Sequence, residues 1–326
     1  MKQKRAKKTV VVISIIIAIL LGIVAIYYFG AIYPYYDCLK RVEFQIPGLN
    51  DKFVPQGFCY DDISDTYFIS GYMADDTASR IYRVKDDSSY EYVTMSYNDK
   101  VNKGHMGGIA VYNDTIWVAS SGKVFRLDKN AVLTTANSQT VNAIDRFDPQ
   151  NRASFITTQG GYLWVGEFYR DGNYETEESH YYTISEKEIN RAMAMRFTID
   201  ETKAYGVEST TPNLGLSLPN QVQGITFTDD GKVVCSTSYS IVSSHILVYD
   251  NVFVSENQKT TQLFESDFNF YVLSSSNLYK DIVAPSMSEE LVFKDGRVYI
   301  LYESACSKYA FGNRRRLKNV ESIIIE

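Results

Sequence analysis

Short runs of alternating apolar and polar residues recur along the chain, and each opens in a similar way. Val54-Pro55-Gln56-Gly57-Phe58-Cys59-Tyr60 is followed, after a polar turn, by Tyr67-Phe68-Ile69-Ser70-Gly71-Tyr72. The pattern returns as His105-Met106-Gly107-Gly108-Ile109-Ala110-Val111 with Ile116-Trp117-Val118-Ala119-Ser120, and as Val222-Gln223-Gly224-Ile225-Thr226-Phe227 with Val233-Val234-Cys235-Ser236. Looser copies begin at Ser288-Glu289-Glu290-Leu291 and at Ala153-Ser154-Phe155. Runs of this length and period are strands, and the Asn113-Asp114, Asp229-Asp230-Gly231 and Asp295-Gly296 turns between them are hairpin dipeptides. Third strands are expected at 80–84, 124–127, 192–197 and 246–249. The clearest fourth strands are at 90–95 and 204–208.

Four-stranded units repeating along a chain predict a β-propeller. Five copies start near 54, 105, 153, 222 and 289. Five blades are therefore expected, with six as the alternative if 169–191 or 250–286 hides a divergent one. The last copy has room for three strands, so the strand at 41–46 is expected to complete its sheet.

A different pattern precedes the repeats. Residues 9–29 carry no charge and are almost wholly apolar. About 20 such residues, rising ~1.5 Å each, span a bilayer core of roughly 30 Å. Lys2, Lys4, Arg5, Lys7 and Lys8 precede this run, which places the N-terminus in the cytoplasm and the body outside. Tyr27, Tyr28, Tyr33, Tyr35 and Tyr36 crowd its far end as an expected interfacial belt. The run is longer than the apolar region of a cleaved signal peptide and leads into no small-x-small site, so an uncleaved signal-anchor in the plasma membrane is expected. The organisation is then a cytoplasmic basic tail (1–8), a transmembrane helix (9–29), a juxtamembrane linker (30–40) and an extracytoplasmic all-β propeller (41–326).

Charge narrows the partners. The chain has 33 basic and 39 acidic side chains; setting aside the five at the N-terminus leaves a body of charge −11. Phosphate backbones would be repelled, which excludes nucleic acid and leaves a membrane, a small molecule, a glycan or a protein as partner.

First strands of propeller blades line the central channel, so the residues at their starts are the candidates for function. Gln56, Gln223 and Glu289 occupy matching positions, His105 and Gln221 lie two residues before the corresponding position of their copies, and Glu290 follows Glu289. Glu167 and Glu303 end second strands nearby. The expected ligand-binding set is Gln56, His105, Gln221, Gln223, Glu167 and Glu289. A hydrolase of lactone, ester or glycoside type would draw its acid and base from His105, Glu289, Glu290 and Glu303. Carboxylates with amide oxygens would also suit a hard cation such as Ca2+. The pairs Glu177-Glu178 and Glu289-Glu290 raise glycoside hydrolysis, which needs two carboxyls about 5–9.5 Å apart. No zinc-site spacing, nucleophile elbow or phosphate loop occurs.

The Gln-Gly-hydrophobic opening, the Asp-Gly turn and the Ser-rich second strand resemble the propellers of the gluconolactonase, paraoxonase and strictosidine-synthase kind. That resemblance implies a propeller, usually of six blades, and in the hydrolases a channel Ca2+ held by Glu, Asn and Asp. The aligned openings in this chain offer Gln, Gly and Glu instead.

Four cysteines, Cys38, Cys59, Cys235 and Cys306, lie in the exported part. Cys59 and Cys235 fall in apolar strands of separate blades and are expected as buried thiols. A Cys38–Cys306 bridge is conceivable, since the first strand joins the last blade. Arg314-Arg315-Arg316 with Lys318 reads as a solvated basic turn, and Asn113-Asp114-Thr115 as a glycosylation acceptor on an exposed turn.

Overall fold

A computed structural model describes residues 2–30, 33–310 and 315–325. One helix, Lys2–Gly30, contains a 20-residue stretch, Lys7–Ile26, of mean hydropathy 3.2 with no part buried against the rest of the chain. It is long and apolar enough to cross a membrane. The rest is a five-bladed β-propeller.

Blade one consists of Phe53–Asp61, Thr66–Met73, Arg80–Val84 and Tyr90–Tyr97, from axis to rim. Blade two follows with Met106–Tyr112, Thr115–Ser120, Lys123–Asp128 and Asp145–Phe147. Blade three is built from Phe155–Gln159, Tyr162–Gly166, Ala192–Thr198 and Leu214–Leu218, and blade four from Val222–Phe227, Val233–Thr237, Ser244–Tyr249 and Leu278–Ala284. Blade five takes Ser288–Lys294, Arg297–Tyr302 and Asn319–Ile323 from the C-terminus, and its outermost strand, Arg41–Gln45, from the N-terminal side. Arg41 lies opposite Ser322 and Gln45 opposite Asn319. This shared sheet closes the ring as the alternation at 41–46 predicts.

The two long irregular segments hide no sixth blade. Residues 169–191 contribute a hairpin, Tyr182–Ser185 with Glu188–Asn190, between the second and third strands of blade three. Within 250–286, Lys259–Leu263 and Ser266–Val272 form a hairpin that leaves blade four and joins blade three, where Ser266–Val272 pairs in parallel with the rim strand Leu214–Leu218. Blade two makes a smaller version of the same move, with Thr140–Asn142 pairing in parallel with the rim strand of blade one. Each insertion gives the neighbouring rim strand a partner, which removes an open edge.

The fourth strand expected at 204–208 does not form. Tyr205 (φ 64°) and Gly206 (φ 72°) adopt left-handed backbone, which no strand can continue through. The segment makes a turn over Trp117, whose indole N–H donates to the Tyr205 carbonyl at 2.8 Å. The rim strand is Leu214–Leu218 instead.

The segment after the long helix also departs from expectation. Tyr33–Asp37 is a short helix, and Tyr35 is fully buried in the core shared by blades five and one. Its hydroxyl donates to Glu321 at 2.9 Å, and Lys40 bonds the same carboxylate at 3.0 Å. Tyr35 therefore belongs to the propeller core, whereas Tyr36 is exposed. The side chains of Tyr27, Tyr28 and Tyr33 lie outside the described residues, as does Arg314. All four cysteines are free thiols, so the Cys38–Cys306 bridge is absent.

Candidate binding site at the propeller mouth

The repeated opening motif has a common local geometry. In blades one, two and four the inner strand carries a β-bulge at the residue before the second-position glycine: Gln56, Gly107 and Gln223 lack a partner on the second strand. In blade five Glu289 and Glu290 together occupy the irregularity. A bulge re-aims the extra residue and bends the strand.

The glycines beyond the bulge close the axis. A Cβ on Gly57 would lie 2.7 Å from the Gly108 Cα, and one on Gly224 would lie 2.7 Å from the Glu290 Cα. Blade five places Glu290 where those blades have glycine, and its side chain fills the space they leave. One carboxyl oxygen accepts from the Phe58 N–H at 3.2 Å and the Ile109 N–H at 3.4 Å; the other accepts from the Ile156 N–H at 3.2 Å. These donors occupy equivalent positions on the inner strands of blades one, two and three. Burial pushes the Glu290 pKa well up, against the opposing pull of the three N–H groups. Glu290 is thus an axial tie, set inward of the mouth.

The mouth is the face where inner strands begin and second strands end. On it, Glu289, Glu303 and Gln56 converge. Glu289 and Glu303 lie close enough for each to shift the other's pKa. The Gln56 amide donates to Glu303 at 2.9 Å and to its own Pro55 carbonyl at 2.9 Å. Burial raises both acids: Glu289 well above the usual carboxylate range, helped by the charge on Glu303, and Glu303 up to about 8 despite the lowering effects of Lys308, Gln56 and Glu289. Like carboxyls in contact cannot both ionise cheaply, so burial and their proximity favour the protonated forms.

An aromatic and cationic wall stands beside this pair. The His105 ring stacks on Tyr72 with centroids 3.9 Å apart and planes 16° apart. Lys308 bonds the Tyr72 hydroxyl at 2.5 Å and lies 4.7 Å over the same ring, and 5.5 Å over that of Tyr309. Desolvation, then Lys308, lowers the His105 pKa and favours the neutral imidazole. No hydrogen bond from His105 to Glu289, Glu290 or Glu303 forms among the described residues. Tyr72, Lys308 and Tyr309 were not foreseen from sequence. Tyr72 was accessible to the same logic as Glu303, since both lie at the ends of second strands.

The remaining candidates sit elsewhere on the ring. Gln221 adopts φ 65° and its backbone links the Tyr169 carbonyl to the Ser238 N–H. Gln223 reaches the Ser238 carbonyl at 3.4 Å. Glu167 is buried in blade three, where it accepts from Arg152 N–H at 3.1 Å and Met193 N–H at 3.1 Å and bonds His180 Nδ1 at 3.0 Å. Glu177 and Glu178 are exposed on the blade-three insertion. His245 pairs with Asp281 at 2.8 Å across two strands of blade four.

Among the described residues no cluster of three or more His, Cys, Asp or Glu could hold a metal ion. At the mouth the two carboxyls face each other and the amide N–H of Gln56, with Lys308 close by, which is a poor donor set for Ca2+.

Comparison with known proteins finds similarity in shape alone. No protein-family model matches it, and no curated protein does. Among solved structures, the PQQ-bound aldose sugar dehydrogenase from Streptomyces coelicolor is similar at 11% identity and a TM-score of 0.43, covering 87% of this chain and 95% of that one. BamB from Moraxella catarrhalis is similar at 10% identity and a TM-score of 0.33, over 84% and 83% of the two chains. A chain of the nidogen/laminin complex is similar at 11% and 0.37, over 77% and 73%. The chain is an all-β propeller of five blades with an apolar N-terminal helix.

Proposed function

We propose that this chain is a single-pass membrane protein whose exported propeller binds the end of a glycan, or a comparably hydroxyl-rich small ligand, at its mouth. Residues 1–8 form the cytoplasmic tail, 9–29 the anchor in the plasma membrane, and 30–40 the short connection to the body. The observation that carries this reading is the convergence of Glu289, Glu303 and Gln56 beside the Tyr72–His105 stack. Carboxyl and amide groups recognise hydroxyls by hydrogen bonds, and aromatic faces take the apolar side of a sugar ring.

A hydrolase of the gluconolactonase kind fits the mouth less well. His105 has no carboxylate partner, and the donor set suits a calcium ion poorly.

The test is a glycan array probed with the detergent-solubilised full chain, followed by calorimetry on the best hit. Glu303→Ala and His105→Ala should each weaken binding by at least tenfold. A panel without any binder, or variants that bind unchanged, would overturn the assignment. Protease accessibility in intact cells tests the orientation: the body should be cleaved from outside and the tail protected.

A further inference from the structure

On the face opposite the mouth, where the first and second strands turn, a cleft of about 380 Å3 opens between blades three and four. Its walls carry Tyr162, Trp164, Phe227, Phe253 and Tyr271, and Arg196 points into it. Trp164 lies 5.6 Å from Phe227 and 5.7 Å from Phe253, and Phe253 lies 5.2 Å from Tyr271, so the rings form one continuous surface. Tyr271 comes from the hairpin that blade four lends to blade three; the insertion builds one wall of the cleft.

Arg196 is the unusual member. Its guanidinium lies 4.1 Å over the Tyr162 ring and 5.8 Å from Trp164. Nε donates to Asn213 Oδ1 at 2.9 Å, and Asn213 is held in turn by Thr198 at 2.7 Å, which fixes the plane of the fork. Its terminal nitrogens make no ion pair among the described residues, and no Asp or Glu lines the cleft. In a body of charge −11 a half-buried, oriented arginine without an acid is a costly arrangement. Burial lowers its pKa, yet a guanidinium keeps its charge.

We infer that this cleft is a binding site for a ring-bearing carboxylate, with the ring on the aromatic floor and the acid paired to the free edge of Arg196. The planar fork matches a carboxylate in bidentate fashion. The volume lies at the small end of the range for small-molecule sites. This inference is independent of the mouth and involves none of its residues.

Two matched pairs of probes test it by calorimetry on the solubilised full chain, against detergent blanks: indole-3-acetate with its neutral alcohol, and glucuronate with glucose. At least one acid should bind at least tenfold more tightly than its neutral partner. Preference for indole-3-acetate marks an aromatic acid as the ligand, preference for glucuronate a sugar acid. Arg196→Met should abolish that preference and leave the neutral probe unchanged. Asn213→Asp, which sets a competing carboxylate against Nε at almost constant size, should weaken the acid several-fold and guards against a folding defect in the first variant. If neither acid binds at millimolar concentration, or Arg196→Met retains the preference, the inference fails.

Discussion

Glu167 and Glu303 occupy the same place in two blades, the position just after the second strand, yet their surroundings are opposite. Glu167 ends Tyr162–Gly166 in blade three and is wholly committed: two backbone N–H groups and His180 take its oxygens. It ties the insertion 169–191 to the blade. Glu303 ends Arg297–Tyr302 in blade five and meets a second acid, Glu289, with one amide donor between them and solvent. Blade position supplies a carboxyl in both cases, fully buried at Glu167 and half-buried at Glu303. What faces it decides whether the carboxyl holds the fold together or stands ready at a mouth.

The sharpest way to break this comparison is to truncate both. Glu167→Ala leaves three buried donors without an acceptor, and each orphaned group costs about 1–3 kcal/mol. A loss of at least about 3 kcal/mol is expected in urea unfolding. Glu303→Ala removes a half-buried acid whose main partner is another acid, so its cost should be no more than about 1–2 kcal/mol. Equal losses at the two positions would mean that both carboxyls serve the fold alike.

Much of this contrast rests on features that the chain displays openly. The blade starts, the closing strand at 41–46 and the turn dipeptides are local patterns, and Asn113 (φ 44°) and Asp295 (φ 52°) indeed take the left-handed conformation their turns need. Gln56 and Glu289 stand out as the variable residues before a repeated position because a bulge sits there. What remained hidden depends on contacts between distant segments. Lys308 and Tyr309 lie in an irregular stretch after the last second strand, with no period to place them. The annexing of Ser266–Val272 by blade three required a strand to leave its own sheet, which no local pattern encodes. Glu290 looked like half of an acid pair, and only the packing of Gly57, Gly108 and Gly224 shows that it replaces their missing bulk.

Glu303 can also be probed by pH. Glu303 has its pKa raised to about 8, so its protonated form is favoured in the folded protein. A carboxyl raised in this way gives stability that is fully present below about 4.3, its unfolded value, and is lost as pH rises through about 8. The melting temperature should therefore fall as pH rises from about 5 to about 8 and level off above that, and Glu303→Gln, which keeps a neutral polar group there, should flatten that decline. A wild-type curve flat from about pH 5 to about 8 would show that Glu303 is not held protonated by the fold.

The two histidines give the most discriminating effects, and His105 the smallest. His180 is buried with Nδ1 against Glu167, and its removal opens a hole and strips one partner from a buried carboxyl. His180→Ala should cost about 2–3 kcal/mol by these two contributions together. His105 is exposed and its one ring contact is the face of Tyr72. A stacked aromatic pair contributes about 0.5–1.5 kcal/mol beyond the area it buries, so His105→Ala should cost about 1 kcal/mol or less. That small cost makes it the cleanest probe of the mouth: glycan binding should fall while the urea midpoint barely moves. His105→Phe separates the two ways the ring could act. It preserves the stack on Tyr72 and removes both nitrogens, so retained affinity assigns the ring's role to its face, and lost affinity assigns it to hydrogen bonds from the imidazole.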